Sequence, residues 1–120
     1  MLIEIQNNLI DLRLVSDITN LIISDESKPN MAYKYKKCSF QILVLNSPNP
    51  IEIKSKEFLY MSNYDLNNII NPEKKEQYQK QNNIVLKEFE ETQEKFEALH
   101  IKLVNFWKIA KKQTNIIKLD

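Results

Sequence analysis

Residues 85–110 read VLKEFEETQEKFEALHIKLVNFWKIA, and this stretch decides the fold of the chain. At 100° per residue, eight of its side chains, spaced alternately four and three positions apart, fall within one stripe of a helix. They are Val85, Phe89, Thr92, Phe96, Leu99, Leu103, Phe106 and Ala110. Trp107 lies on the same side, and Tyr78 continues the stripe towards the amino end. The pattern predicts a long amphipathic helix that packs its apolar stripe on another element.

Asn71, Pro72 and Glu73 mark the beginning of this helix. Asn is a preferred N-cap, Pro is tolerated at the first helical position, and Glu suits the positive end of the helix dipole. No proline or glycine follows as far as Lys112. We therefore predict a helix over 72–113, about 60 Å long at ~1.5 Å per residue, and a tail over 114–120. Strands of a small sheet are only about 20 Å long, so either the helix breaks near 81–83 or part of it projects to another surface.

The amino-terminal segment alternates between apolar and polar residues and predicts a hairpin. Strands over 2–6 and 9–14 flank Asn7 and Asn8, and Asn tolerates positive φ, so this pair suits a two-residue turn. The register would set Ile5 opposite Ile10. It would also set Glu4 opposite Asp11, a carboxylate pair that we expect to lie in solvent.

Further strands are predicted over 17–24, 33–46 and 51–54, separated by polar loops at 25–30 and 47–50. The strand over 33–46 is apolar on both faces from Phe40 to Leu45, which is typical of a central strand. Residues 57–71 are predicted as a connection with a short helix around Tyr64–Ile70. The sequence thus predicts one α+β domain, 1–120, with an antiparallel sheet of four to five strands over 1–56 followed by the long helix.

Composition excludes several classes of function. The 120 residues include no glycine, one His and one Cys, with a formal net charge of +1. Without glycine there is no phosphate-binding loop, dinucleotide fingerprint or nucleophile elbow, and one His with one Cys cannot build a four-ligand zinc site. No signal peptide or membrane-length apolar run is visible, and Cys38 has no partner for a disulfide within the chain. We expect a cytoplasmic protein with no cofactor and no metal, and Lys, Asn and Ile usage favours an AT-rich bacterial or phage source.

His100 and Cys38 are the candidates for chemistry. His100 falls at the edge of the helical stripe, and Cys38 falls within a predicted strand, where a buried thiol is the default. Nothing supplies an oxyanion hole or a third orienting group. We expect no catalytic residue, although an enzyme using His100 or Cys38 stays open as a third class.

Two surfaces are candidates for binding. Ile84, Ile101 and Ile109 lie off the main stripe, on the back of the helix, with a basic cluster of Lys108, Lys111 and Lys112 towards its end. A second segment mixes bases with aromatic residues: Tyr33, Lys34, Tyr35, Lys36 and Lys37. Lysines attract phosphate and tyrosines stack on bases, so contact with RNA is an alternative to a protein or nucleoprotein partner. The near-zero net charge and the single Arg favour the protein partner.

Charge along the helix is polarised. Residues 88–97 hold five Glu and one Lys, whereas 102–118 hold five Lys and no acid. The helix dipole favours this order. The same order would let two copies pair antiparallel, which leaves a homodimer open.

A glycine-free sheet followed by a helix rich in Lys and Glu, with Phe106-Trp107-Lys108 near its end, resembles the small orphan proteins of AT-rich bacteria and their phages. Among these are phage-encoded inhibitors of host defence, including anti-CRISPR proteins. The resemblance covers size, composition and layout, and it transfers no residue. It implies a protein that binds a large nuclease and blocks or misdirects it without chemistry of its own. The layout is also similar to a pleckstrin-like ligand-binding domain, which needs about seven strands where four or five are predicted.

Overall fold

The structure is a computed structural model that describes residues 1–29 and 31–113. It has the predicted α+β architecture, in which antiparallel strands precede a long carboxyl-terminal helix. The elements are β1 (Leu2–Ile5), β2 (Asn8–Asp11), β3 (Val15–Ile18), β4 (Ile22–Ser27), β5 (Tyr33–Val44), β6 (Ile51–Lys54), β7 (Phe58–Met61), α1 (Asn63–Asn67) and α2 (Pro72–Gln113). The predicted tail over 114–120, and Asn30 of the predicted loop, lie outside the described residues.

A five-stranded sheet is built around β5, which pairs with β3, β4, β6 and β7. The first half of β5 is flanked by β4 and β7, as in the pairs Ile23 with Cys38 and Lys36 with Phe58. In its second half, Ile42 pairs with Ile18 of β3. The prediction that the doubly apolar strand is central is therefore confirmed.

The strands β1 and β2 form a separate two-stranded sheet, and its turn differs from the prediction by one residue. Gln6 and Asn7 hold the positive φ angles, 46° and 65°, so Ile5 pairs with Asn8 and the predicted Ile5–Ile10 pair is wrong. The Asn8 side chain explains the shift, because its Nδ2 donates to the carbonyls of Ile5 and Gln6 at 3.3 and 3.1 Å. Asn8 stabilises the turn from the adjacent strand.

The predicted carboxylate pair of Glu4 and Asp11 is also wrong. Glu4 lies opposite Leu9. Asp11 instead caps a single 3₁₀ turn, Leu12–Leu14, by accepting a hydrogen bond from the backbone N–H of Arg13 at 3.1 Å.

The strand predicted over 17–24 is two strands. Ile18 pairs with Ile42 and Ile22 with Ser39, so four steps along this segment match three steps along β5. The extra residue lies between β3 and β4 and interrupts their pairing with β5, as a bulge does. Sequence alternation does not reveal such an insertion.

The connection predicted over 57–71 contains β7 as well as α1. The sequence of β7, FLYM, has no polar alternation, which is why it was missed. The short helix predicted at 64–70 is α1, which begins after the N-cap Ser62 and ends at Asn67.

The long helix matches its predicted bounds of 72–113 and is unbroken. Asn71 is the N-cap, since its Oδ1 accepts from the backbone N–H of Glu73 at 3.0 Å. The predicted alternative of a break near 81–83 is wrong, because Asn82 turns its side chain to a strand and leaves the helix intact. The buried positions follow the predicted stripe, with Phe106 (36% exposed) as its exception.

Contacts divide the chain into two compact units, and the prediction of a single domain stays a prediction. The first comprises 1–21, 40–53 and, among the described residues, 97–113. Its buried apolar side chains are Ile5, Ile10, Leu12, Val15, Ile18, Phe40, Ile42, Ile53, Leu103 and Ala110. The second comprises 22–39 and 54–96 and buries Cys38, Phe58, Met61, Leu66 and Phe89.

Candidate functional site

The basic and aromatic segment, Tyr33–Lys37, lies on the central strand β5 and is half-buried. Side chains alternate along a strand, so Lys34 and Lys36 share one face of the sheet, whereas Tyr33, Tyr35 and Lys37 share the other. The structure therefore separates the five predicted residues onto two faces.

Acidic residues of β4 occupy both faces beside this segment. The Tyr35 hydroxyl donates to Glu26 at 2.7 Å, and the Tyr60 hydroxyl donates to Asp25 at 2.5 Å. The hydrogen bond to Glu26 raises the pKa of Tyr35. Burial, and then the hydrogen bond to Asp25, raises the pKa of Tyr60 well above its ordinary value. Both phenols therefore remain protonated donors over the physiological pH range.

The lysines here lie over aromatic rings. Lys36 Nζ is 5.7 Å from the ring centroids of both Tyr60 and Phe89, and Lys28 Nζ is 4.9 Å from that of Tyr35. Acids also pair with lysines here: Lys34 lies 3.7 Å from Asp25, and Lys28 lies 2.8 Å from Glu57. The carboxylates offset the positive charge that a phosphate backbone would need.

The back of α2 is exposed, as its position off the buried stripe predicts. Ile84, Ile101 and Ile109 are 60%, 61% and 46% exposed. Lys108 and Lys112 are exposed beside them. Lys111 places its Nζ 4.2 Å from the ring centroid of Trp107 and so packs towards the inner side of the helix.

Ile84 and Tyr33, which the sequence assigned to two different surfaces, line the same groove. This open apolar groove has a volume of about 230 Å³, and Leu59 and Tyr78 also line it. Within the second unit, one continuous surface thus holds two of the predicted interaction residues. Sequence reasoning could not join them, because their proximity depends on the unpredicted strand β7.

Asn82 is a structural residue that the sequence did not identify. It is 9% exposed, and its amide pairs with the backbone of Met61, accepting from the N–H at 2.8 Å and donating to the carbonyl at 2.7 Å. These two hydrogen bonds satisfy the N–H and the carbonyl at the end of β7, as the backbone of a neighbouring strand would. The Asn-rich sequence around it gives no sign of this role.

His100 and Trp107 tie the later part of α2 to backbone carbonyls. His100 Nε2 lies 2.8 Å from the backbone carbonyl oxygen of Thr19, which can only accept, so this nitrogen carries a proton and donates. The His100 ring also meets the edge of Phe40 at a centroid distance of 5.0 Å. Trp107 Nε1 donates to Val15 O at 3.1 Å. Both side chains therefore position the helix.

Cys38 is fully buried on β5, as its placement in a strand predicts. Within residues 1–29 and 31–113, no group of three or more His, Cys, Asp or Glu side chains is arranged to hold a metal ion. Over the same part of the chain, no helix has both the length and the apolar character that crossing a membrane requires.

Comparisons with known proteins give no relative: no family model matches the chain, and no similar curated protein or solved structure is found. The function must therefore be inferred from the geometry of these surfaces.

Proposed function

We propose that this protein is a non-enzymatic interaction module, a small cytoplasmic inhibitor that binds a larger bacterial protein or nucleoprotein such as a CRISPR nuclease. The observation that carries the binding role is the open apolar groove in which Tyr33 and Ile84 lie together with Leu59 and Tyr78. Leu59 and Ile84 are 41% and 60% exposed there, and a continuous exposed apolar patch is typical of a contact surface. The nuclease as target class follows from the resemblance in size, composition and layout.

The positions of His100 and Cys38 support a role without chemistry. His100 is held by Thr19 and Phe40, and Cys38 is fully buried. Catalysis by either would require it to leave a contact that stabilises the fold. Full retention of function in a His100→Phe variant would agree with this, and loss of function at unchanged stability would contradict it.

Contact with RNA through Tyr33–Lys37 is the second candidate. The mixture of lysines and tyrosines in this segment favours it, whereas the ion pair of Lys34 with Asp25 and that of the nearby Lys28 with Glu57 oppose it. Binding of a single-stranded RNA that weakens steeply with salt would support it. No detectable binding at low salt would exclude it.

The inhibitor proposal can be tested in bacteria that carry a CRISPR system targeting an incoming plasmid. Expression of the chain should restore plasmid transformation, and a purified nuclease–guide complex should retain the chain. The variant Leu59→Glu/Ile84→Glu should lose both effects, because it places charge in the apolar groove. The control Ile70→Glu changes an isoleucine that is 94% exposed and outside α2, and it should keep both effects. No restoration by the wild-type chain against a panel of nuclease types would overturn the inhibitor proposal.

A further inference from the structure

The outer face of α2 carries a second seam, separate from its buried stripe. Its residues are spaced 4-3-4-3-4-3-4: Lys87, Glu91, Glu94, Ala98, Ile101, Asn105, Lys108 and Lys112. All eight are exposed. This spacing keeps the eight side chains in line along one side of the helix. Ala98 and Ile101 at its centre are apolar, and the other six are charged or, at Asn105, an amide.

We infer that residues 91–108 of α2 bind the same residues of a second copy of this chain, in antiparallel orientation. A two-fold axis midway between Ala98 and Ile101 sets Ile101 against Ala98 of the second copy. It also sets Glu91 against Lys108 of the second copy and Glu94 against its Asn105. The arrangement is isologous, so every favourable pair occurs twice.

Charge complementarity favours a second copy of the chain as the partner and favours the antiparallel orientation. A parallel pair would set Glu91 against Glu91 and Lys108 against Lys108, which is repulsive. The antiparallel pair sets acid against base. Among the described residues, no ion pair within the chain uses Glu91, Glu94 or Lys108, so these charges face solvent in a single copy.

The apolar part of the seam is short. Ala98 is small enough to let two helices approach closely, and Ile101, 61% exposed, supplies the larger side chain. Ile109 and Phe106 flank the seam and remain 46% and 36% exposed. Beyond Glu91 the register would set Lys87 against Lys112, which limits the contact to 91–108. We therefore expect a dimer that dissociates in the micromolar range and weakens as salt rises.

This inference uses a surface of α2 different from the groove that the proposed function assigns to a target. The groove of Tyr33, Leu59 and Ile84 lies outside the seam and stays available to a target. The two proposals can fail separately. A chain that restores transformation but stays monomeric excludes only the dimer, whereas a dimer that inhibits nothing excludes only the inhibitor.

Sedimentation equilibrium with charge-reversal variants tests the dimer. Glu91→Lys alone and Lys108→Glu alone should each raise the dissociation constant by about tenfold or more at low salt, because each puts like charges together twice. The double variant Glu91→Lys/Lys108→Glu restores both opposite-charge pairs and should regain the wild-type constant. An equimolar mixture of the two single variants should form a heterodimer for the same reason. Glu52→Lys, an exposed control on β6, should change little.

The double variant also shows that an effect of either single change is not a loss of folding. A monomer mass for the wild-type chain up to about 100 μM at low salt would overturn the inference. A double variant as weak as the single variants would overturn the register.

Discussion

The inner and outer faces of α2 differ in how their side chains are used. On the inner face, even the polar groups are engaged: Asn82 pairs with Met61, and Trp107 donates to the backbone of β3. On the outer face, Ile101 is 61% exposed, only two positions from Leu103, which is 4% exposed. The fold accounts for the apolar positions of the inner face but not for the exposed isoleucine of the outer face. This difference supports the proposal that the outer face makes contacts beyond the single chain.

Truncation of Leu103 should have the largest effect on the free energy of unfolding, and it distinguishes the buried inner face of α2 from the exposed outer face most clearly. Leu103→Ala should lower the free energy of unfolding by about 3 kcal/mol, because it removes buried methyl groups and leaves a cavity. The matched change Ile101→Ala should cost less than about 0.5 kcal/mol, because the side chain already meets solvent. Urea unfolding at a chain concentration low enough for the monomer measures both.

If Ile101→Ala lowered the free energy of unfolding of the monomer about as much as Leu103→Ala, the proposed difference between the two faces would be wrong. Such a result would mean that the outer face is buried by the chain itself.

Asn82 gives the next largest expected effect. Asn82→Leu keeps the side chain's size but leaves the N–H and the carbonyl of Met61 without their partner. We expect a loss of about 2 kcal/mol in the free energy of unfolding. Its neighbour Asn83 is exposed, so Asn83→Leu should be close to neutral. Equal effects of the two changes in thermal or urea unfolding would remove the role assigned to Asn82.

Replacing Trp107 tests how much its single hydrogen bond to the backbone of β3 contributes to stability. Trp107→Phe keeps an aromatic ring against the strand but loses the hydrogen bond to Val15 O. A loss of about 1 kcal/mol is expected, measured by circular dichroism because the variant has no tryptophan. A variant as stable as the wild-type chain would show that packing alone holds this part of the helix.

The smallest expected effect concerns an exposed polar contact, the pair of Asp11 and Arg13. The hydrogen bond from the Arg13 side chain lowers the pKa of Asp11 from 3.8 to about 2. The folded state therefore gains stability above pH 3.8, and this contribution is lost as the pH falls towards 2. Asp11→Asn should flatten the pH dependence of unfolding in that window. An unchanged slope would show that the pair does not contribute.

Much of the architecture follows from local sequence patterns. The helix over 72–113 is defined by its N-cap Asn71, by the absence of proline and glycine and by the stripe that includes Phe89 and Leu103. The central position of β5 follows from its two apolar faces. These features depend on neighbours along the chain, so sequence alone contains the information.

The features that were missed depend on contacts between distant segments. The residue inserted between β3 and β4 is visible only against β5, and β7 has no alternation to reveal it. Asn82 resembles a helix breaker until the backbone of Met61 is placed beside it. For the same reason, sequence found Tyr33 and Ile84 individually but could not join them in one groove.

The central claim, the proposal that residues 91–108 of α2 bind a second copy, is tested most directly by labelling cysteines introduced inside and outside that contact. Cys38 is fully buried, so a thiol introduced by Ala98→Cys or Ile70→Cys should react first with a maleimide. As the chain concentration rises from about 1 μM to about 100 μM at low salt, the labelling rate at residue 98 should fall and that at residue 70 should stay constant. Constant rates at both positions over this range would contradict the account.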